Sequence, residues 1–170
     1  NASKVYGESD KEFTYTPSGL VGEDTLSDIT LSRAEGDNVG TYEITAAQKK
    51  DANPNYSVKF NKGTFTINPK EITVTITPNG GTYEGNIISA AAVLNGLVGE
   101  DKPEIILTYA GKANDGTEVN GTKTPVLAGT YTVTASITDS NYNLKAEGTT
   151  AEFVVTKATP GLSVAAVSDK

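Results

Sequence analysis

Residues 39–46 read "VGTYEITA" and residues 128–135 read "AGTYTVTA". Each has the form Gly-x-Tyr-x-apolar. In immunoglobulin-type sandwiches a tyrosine two residues before the inter-sheet cysteine packs at the sandwich edge while its hydroxyl satisfies a backbone group, the tyrosine corner. Tyr42 and Tyr131 are expected to fill that role, with Ile44 and Val133 standing in the cysteine position. The pair of stretches predicts an all-β chain of tandem small Ig-like β-sandwich modules.

The surrounding residues repeat in the same order. "GLVGED" occurs at 19–24 and at 96–101, and Tyr6 of "KVYGE" stands opposite Tyr83 of "GTYEG", both 77 residues apart. The Gly-x-Tyr stretches are 89 apart; "NPNYSV" (53–58) answers to "DSNYNL" (139–144), and "GTFTINPK" (63–70) to "TAEFVVTK" (150–157). Equal order with drifting separation marks a duplicated unit. The difference between 77 and 89 is an insertion of twelve residues in or near "AGKANDGTEVNG". Module one is therefore expected over 1–69 and module two over 70–157, with a loop insertion near 111–122. Residues 158–170, "ATPGLSVAAVSDK", are expected to be the start of a truncated third module or a linker. The joint "INPKEI" is short and holds one proline, which predicts stiffness. An opening without methionine fits a piece of a longer protein.

"EITVTITP" alternates Ile72, Val74 and Ile76 with threonines, the period of two that turns one face inward. "TYEITA", "YTVTASI", "YSVKF", "TFTIN" and "EFVVT" share the pattern, separated by turn signals such as "NKG" and "NDG". "SAAAVLNGL" (89–97) is the one stretch that reads as a short helix. A module of about 70 residues is short for a sandwich of roughly 100. A β-grasp-like sheet closing on one short helix is thus the alternative architecture, chiefly for module one.

The absences exclude much chemistry. The chain has no Cys, His, Trp or Met. Without Cys there is no disulfide and no thiolate nucleophile or ligand; without His the commonest general base is missing. The net charge of −7 repels phosphate backbones and disfavours anionic membrane surfaces, and no run approaches the roughly 18 consecutive apolar residues of a membrane helix, so neither nucleic acid nor membrane insertion is expected. Charge is even, with 7 basic and 10 acidic residues in module one and 6 and 10 in module two. The composition asks for no cofactor, and the fragment is expected to be monomeric.

Several residues have side chains suited to chemistry. Glu23–Asp24 and Glu100–Asp101 could be paired acids for glycoside hydrolysis, but they occupy equivalent places in two copies, which fits a solvated turn instead. Their Leu20–Val21 and Leu97–Val98 pairs read as core anchors. Asn114, Asp115, Glu118 and Asn120 offer oxygens to calcium without the Asp-x-Asp-x-Asp-Gly loop. Tyr6, Tyr42, Tyr56, Tyr83, Tyr131 and Tyr142 recur at matched positions and read as structural. Tyr15 and Tyr109 are the expected exposed contacts for a sugar. Lys70 and Lys157 are the lysines placed for an internal isopeptide bond, against the plainer reading that they mark module ends. The sequons at Asn55 and Asn120 are short matches of little weight. No catalytic, metal or cofactor-binding residue follows, and no ligand-binding residue is assigned.

"KVYGESDKEFTYTPSGLVGED…VGTYEITA…NYSVKFNKGTFTINPK" resembles the MBG-type repeat, in its Tyr-Gly variety, of large bacterial surface proteins. The second copy, "YEG…LNGLVGED…AGTYTVTASITDSNYNL…FVVTK", is similar to the related Ig-like repeats of the same proteins. The likeness covers 1–157 and departs from the Tyr-Gly pattern at Glu84. It implies extracellular, cell-surface or secreted tandem modules of an adhesin-like protein, with no catalytic residues to carry over. The function expected is a non-enzymatic stalk. The alternatives are modules that themselves bind host or cell-envelope glycan or protein, with the insertion as the site, and accessory β-domains of a secreted polysaccharide-acting enzyme.

Overall fold

The computed structural model describes residues 1–164. Twelve strands run along them: β1 (Ala2–Val5), β2 (Ile29–Arg33), β3 (Gly40–Gln48), β4 (Gly63–Asn68), β5 (Lys70–Pro78), β6 (Gly81–Thr82), β7 (Ala90–Asn95), β8 (Ile105–Ala113), β9 (Glu118–Gly121), β10 (Gly129–Ile137), β11 (Tyr142–Leu144) and β12 (Thr150–Thr156). No helix occurs among the described residues. The all-β fold follows from threonine, valine, isoleucine and tyrosine alternating on half-buried pleated surfaces.

The expected short helix is a strand. β7 pairs antiparallel with β5, from Thr73 opposite Asn95 to Pro78 opposite Ala90. Three alanines favour a helix locally, but residues 90–95 alternate in burial, and pairing with an adjacent strand outweighs propensity. The β-grasp alternative, which required that helix, goes with it. The other correction is "YSVKF": residues 56–60 join no ladder.

The chain divides into two compact units. Unit 1 holds 1–71 together with 98–100 and 139–143; unit 2 holds 72–97, 101–138 and the residues from 144 onward. Unit 1 is built on a four-stranded sheet in the order β1-β4-β3-β2. β1 lies parallel to β4, with Val5 opposite Asn68, and the remaining pairs are antiparallel. Phe65 and Ile67 of β4 are fully buried on one face of this sheet.

Unit 2 is built on a five-stranded sheet in the order β6-β12-β10-β8-β9. β6 runs parallel to β12 with Thr82 opposite Thr156, the counterpart of Val5 opposite Asn68 in unit 1. A further sheet has the order β11-β5-β7. Ile76 of β5 and Ala90 of β7 pack onto the core formed by Tyr109, Tyr131, Val133, Phe153 and Val155. Two sheets thus enclose one core, the sandwich arrangement. The twelve-residue insertion is the hairpin of β8 and β9, in which Gly111 pairs with Val119. Residues 158–164 follow β12 outside any ladder, and the last six residues of the segment expected to open a third module lie outside the described residues.

Candidate functional site

The matched tyrosines serve the scaffold. Tyr42 Oη donates to Asn38 O at 2.7 Å, and Tyr131 Oη donates to Leu127 O at 2.9 Å. Both bonds reach four residues upstream, the closure expected of a tyrosine corner. Tyr131 is buried, and desolvation raises its phenol above the ordinary value. Gly111 is fitted to it: a Cβ there would stand 2.3 Å from Thr130 O and 2.8 Å from the Tyr131 ring.

"GLVGED" is the same turn twice. Gly19 and Gly96, and likewise Gly22 and Gly99, have left-handed backbones with φ of 77°, 96°, 58° and 52°, conformations that glycine reaches without a Cβ penalty. Val21 N–H donates to Tyr56 Oη at 3.0 Å, and Val98 N–H donates to Tyr142 Oη at 2.9 Å. The tyrosine of "NPNY" or "DSNY" therefore holds the second apolar residue of each hexapeptide by its amide. Tyr56 Oη also donates to Asp24 at 2.5 Å, and this bond raises its phenol above the ordinary value. The anchor reading of the Leu-Val pairs holds only in part. Val98 packs on Gly7, where a Cβ would lie 2.4 Å from Cγ2, but Val21 is 73% exposed.

Tyr15 and Tyr109 part company. Tyr15 is 45% exposed and donates to Leu26 O at 3.3 Å. Tyr109 is 3% exposed, packs edge-on to Phe153 and accepts the Ala90 N–H at 3.0 Å. The expected exposed contact at Tyr109 is thus a core residue. β8 turns alternate residues inward, and the core needs an aromatic opposite Val133.

In the insertion, Asp115 accepts the Thr117 N–H at 2.9 Å, which holds its carboxyl below the ordinary range. That bond closes the turn of the hairpin between Asn114 and Glu118, with Gly116 at φ 94°. No group of three acidic side chains positioned for a cation occurs among the described residues. Lys70 N–H donates to Asn141 O at 2.9 Å, and Asn141 in turn accepts the Val39 N–H at 2.8 Å, all within unit 1.

Unit 1 carries two features that sequence reasoning missed. The first is a charged cluster. Lys4 Nζ meets Asp10 Oδ1 at 2.7 Å, and Arg33 Nε meets Asp10 Oδ2 at 2.5 Å. Asp37 lies 3.6 Å from Lys4 and 3.2 Å from Arg33. The Arg33 guanidinium stacks over Tyr42 and Phe65 at 5.3 and 5.0 Å. Arg33 pairs with Ile44 as Tyr109 pairs with Val133, so an arginine takes the position of a core tyrosine. Hydrogen bonds from Arg33 and then Lys4 hold the Asp10 carboxyl down to about 2. Contact order hid the cluster: its four residues span a stretch whose loop path no periodicity reports.

The second is a cavity of about 1030 Å³ against the inner face of the four-stranded sheet. Leu31, Ile44 and Ala46 form its floor, and the extended stretches around Phe13–Tyr15 and Tyr56–Phe60 form its walls. The signal was present in the repeat, because these walls match strands of the second copy.

A family model described as the MBG domain of YGX type matches residues 1–66, and a second MBG domain model matches residues 72–159. Neither a curated protein nor a solved structure matches the chain.

Proposed function

With family models spanning residues 1–66 and 72–159, this chain belongs to the MBG domain family, and on that premise we propose that it is a structural spacer of a bacterial surface or secreted protein. MBG domains are repeat modules of large surface proteins, which supports an extracellular, non-catalytic role. One observation carries the reading. The residues that the two copies share are spent on folding: tyrosine corners at Tyr42 and Tyr131, amide clamps at Tyr56 and Tyr142, and the same parallel closing pair. Duplication that preserves a scaffold and no reactive constellation is what a stalk requires.

A glycan array of the intact fragment, with a variant lacking residues 111–122, tests the reading against the adhesive alternative. The spacer predicts no binding above background by either protein. Binding lost with the β8–β9 hairpin would transfer the function to that hairpin, since loops on a rigid scaffold are where recognition concentrates.

A further inference from the structure

The three sheets leave six strands at their edges: β1 and β2, β6 and β9, β11 and β7. An edge strand presents a row of unpaired N–H and C=O groups, and proteins blunt such edges with shortness, proline or charge. Five of the six are blunted. β6 and β11 have only two and three residues. β1 carries Lys4 and β2 carries Arg33, cations tied inward by Asp10, and the four-residue β9 carries Glu118. β7 is the exception. It has six residues, AAAVLN, with neither charge nor proline, and no charged residue occurs from 85 to 99.

The register with β5 tells which peptide groups of β7 are open. Asn79 N–H donates to Ser89 O at 3.2 Å, immediately beyond the pairing of Pro78 with Ala90. Bonded pairs recur at every second residue of an antiparallel ladder. Ala91, Val93 and Asn95 therefore turn their peptide groups towards β5, and Ala90, Ala92 and Leu94 turn theirs to the edge. Ala90 agrees with this parity, because its N–H meets Tyr109 Oη at 3.0 Å and not β5. Among the described residues, no further strand takes up the N–H and C=O groups of Ala92 and Leu94 or the carbonyl of Ala90. The outward side chains beside them include Ala91 and Val93, and Val93 is 60% exposed.

We propose that the open edge of β7 is a self-association surface, and that its occupant is β7 of a second copy of this chain, running antiparallel about a two-fold axis at Ala92. In that register Ala92 faces its own counterpart and exchanges both main-chain bonds with it. Each Leu94 N–H meets the Ala90 carbonyl across the axis. The one edge donor left over is the Ala90 N–H, which Tyr109 already satisfies. Val93 lies opposite Ala91 on the outward side and Leu94 opposite Ala90 on the inward side, a large residue against a small one in both rows. Charge favours a second copy at this place. Two chains of net charge −7 repel one another, and a neutral strand is where they approach with least repulsion. Strand addition of this kind takes its affinity from main-chain hydrogen bonds. The contact is isologous, so it closes on itself and gives a dimer, with two spacers joined side by side. This goes beyond the spacer reading and stands independently of it, since a glycan array does not report on it.

Sedimentation velocity of the intact chain over a concentration series tests the proposal, alongside the variants Ala92→Pro and Ala91→Lys/Val93→Lys. The Ala92 N–H bonds nothing in β5, so a proline there leaves the ladder of β5 with β7 whole while removing the central donor of the pair. The two lysines face solvent in a single copy and set like charges opposite one another across the axis. A thermal melt equal to the parent's checks that each variant folds. The expected result is a parent dimer that grows in with concentration, and variants that stay monomeric. Amide exchange reads the register. Where the parent pairs, the Ala92 and Leu94 amides are expected to slow by about tenfold or more, while Ala91 and Val93, already bonded to β5, change little. A parent that stays monomeric up to its solubility overturns the proposal. So does association that the lysine variant retains, or association that leaves the Ala92 and Leu94 amides exchanging as before.

Discussion

Replacing Asp10 by Asn removes the carboxylate that Lys4 and Arg33 hold at 2.7 and 2.5 Å, nearer than the Asp37 they also share, and the cost can be worked from the geometry. The Lys4 and Arg33 side chains are 5% and 12% exposed, so both cations depend on their partners more than surface residues do. Asp10 titrates at about 2 instead of the ordinary 3.8. Each tenfold change in proton affinity is worth about 1.4 kcal/mol, so the pairing corresponds to about 2.5 kcal/mol before screening. The Asp10 side chain is itself a third exposed, and solvent brings the value to roughly 1–2 kcal/mol. A carboxyl whose affinity for protons is lowered by folding stabilises fully above its unfolded value. That stabilisation is lost as pH falls through the folded value. The gap between parent and Asp10→Asn should therefore be full at pH 7 and close over the window from 3.8 down to about 2. Urea titrations at both ends of that window, read by amide exchange across β4, report unit 1 specifically. A gap of the same size at both ends, or none at pH 7, refutes the reasoning.

The other expectations concern the shared scaffold. Tyr142→Phe should cost about 1 kcal/mol and speed exchange of the Val98 amide, with Tyr56→Phe milder because Tyr142 is the more buried; equal effects would contradict the burial argument. Gly111→Ala should destabilise unit 2 by roughly 2–4 kcal/mol through collision with the Thr130 carbonyl, while Gly161→Ala, in open space, should leave the melt unchanged. Val133→Ala removes two methyls from a fully buried site and should cost about 2–3 kcal/mol in a urea titration. Adding millimolar calcium after chelation should leave the melting temperature where it was, since Asp115 already closes its own turn.

Much of the fold was legible because its signals are local and repeated. Period-two alternation located β3, β4, β5, β10 and β12, and the Gly-x-Tyr pair announced tyrosine hydroxyls that do return to the backbone four residues upstream. What failed was whatever depended on a partner far along the chain. Residues 90–95 carry the composition of a helix and form a strand because β5 lies alongside. Residues 56–60 carry the composition of a strand and join no ladder. Tyr109 is an exposed contact by sequence and a buried residue in the fold, since which face of β8 turns inward is fixed by its register with β10.

The sequence by itself determined the duplication, the β class and the tyrosines that tie each copy together, because these rest on short-range periodicity and on identity between copies. Only the tertiary structure decided which segments complete which compact unit. It also decided that an arginine replaces a core tyrosine, and that Tyr131 and Val133 are buried where their matches Tyr42 and Ile44 are only half-buried. The physical reason is common to all three. A strand's alternation states that it has a face to bury, but what buries it is set by strand pairing across the whole chain.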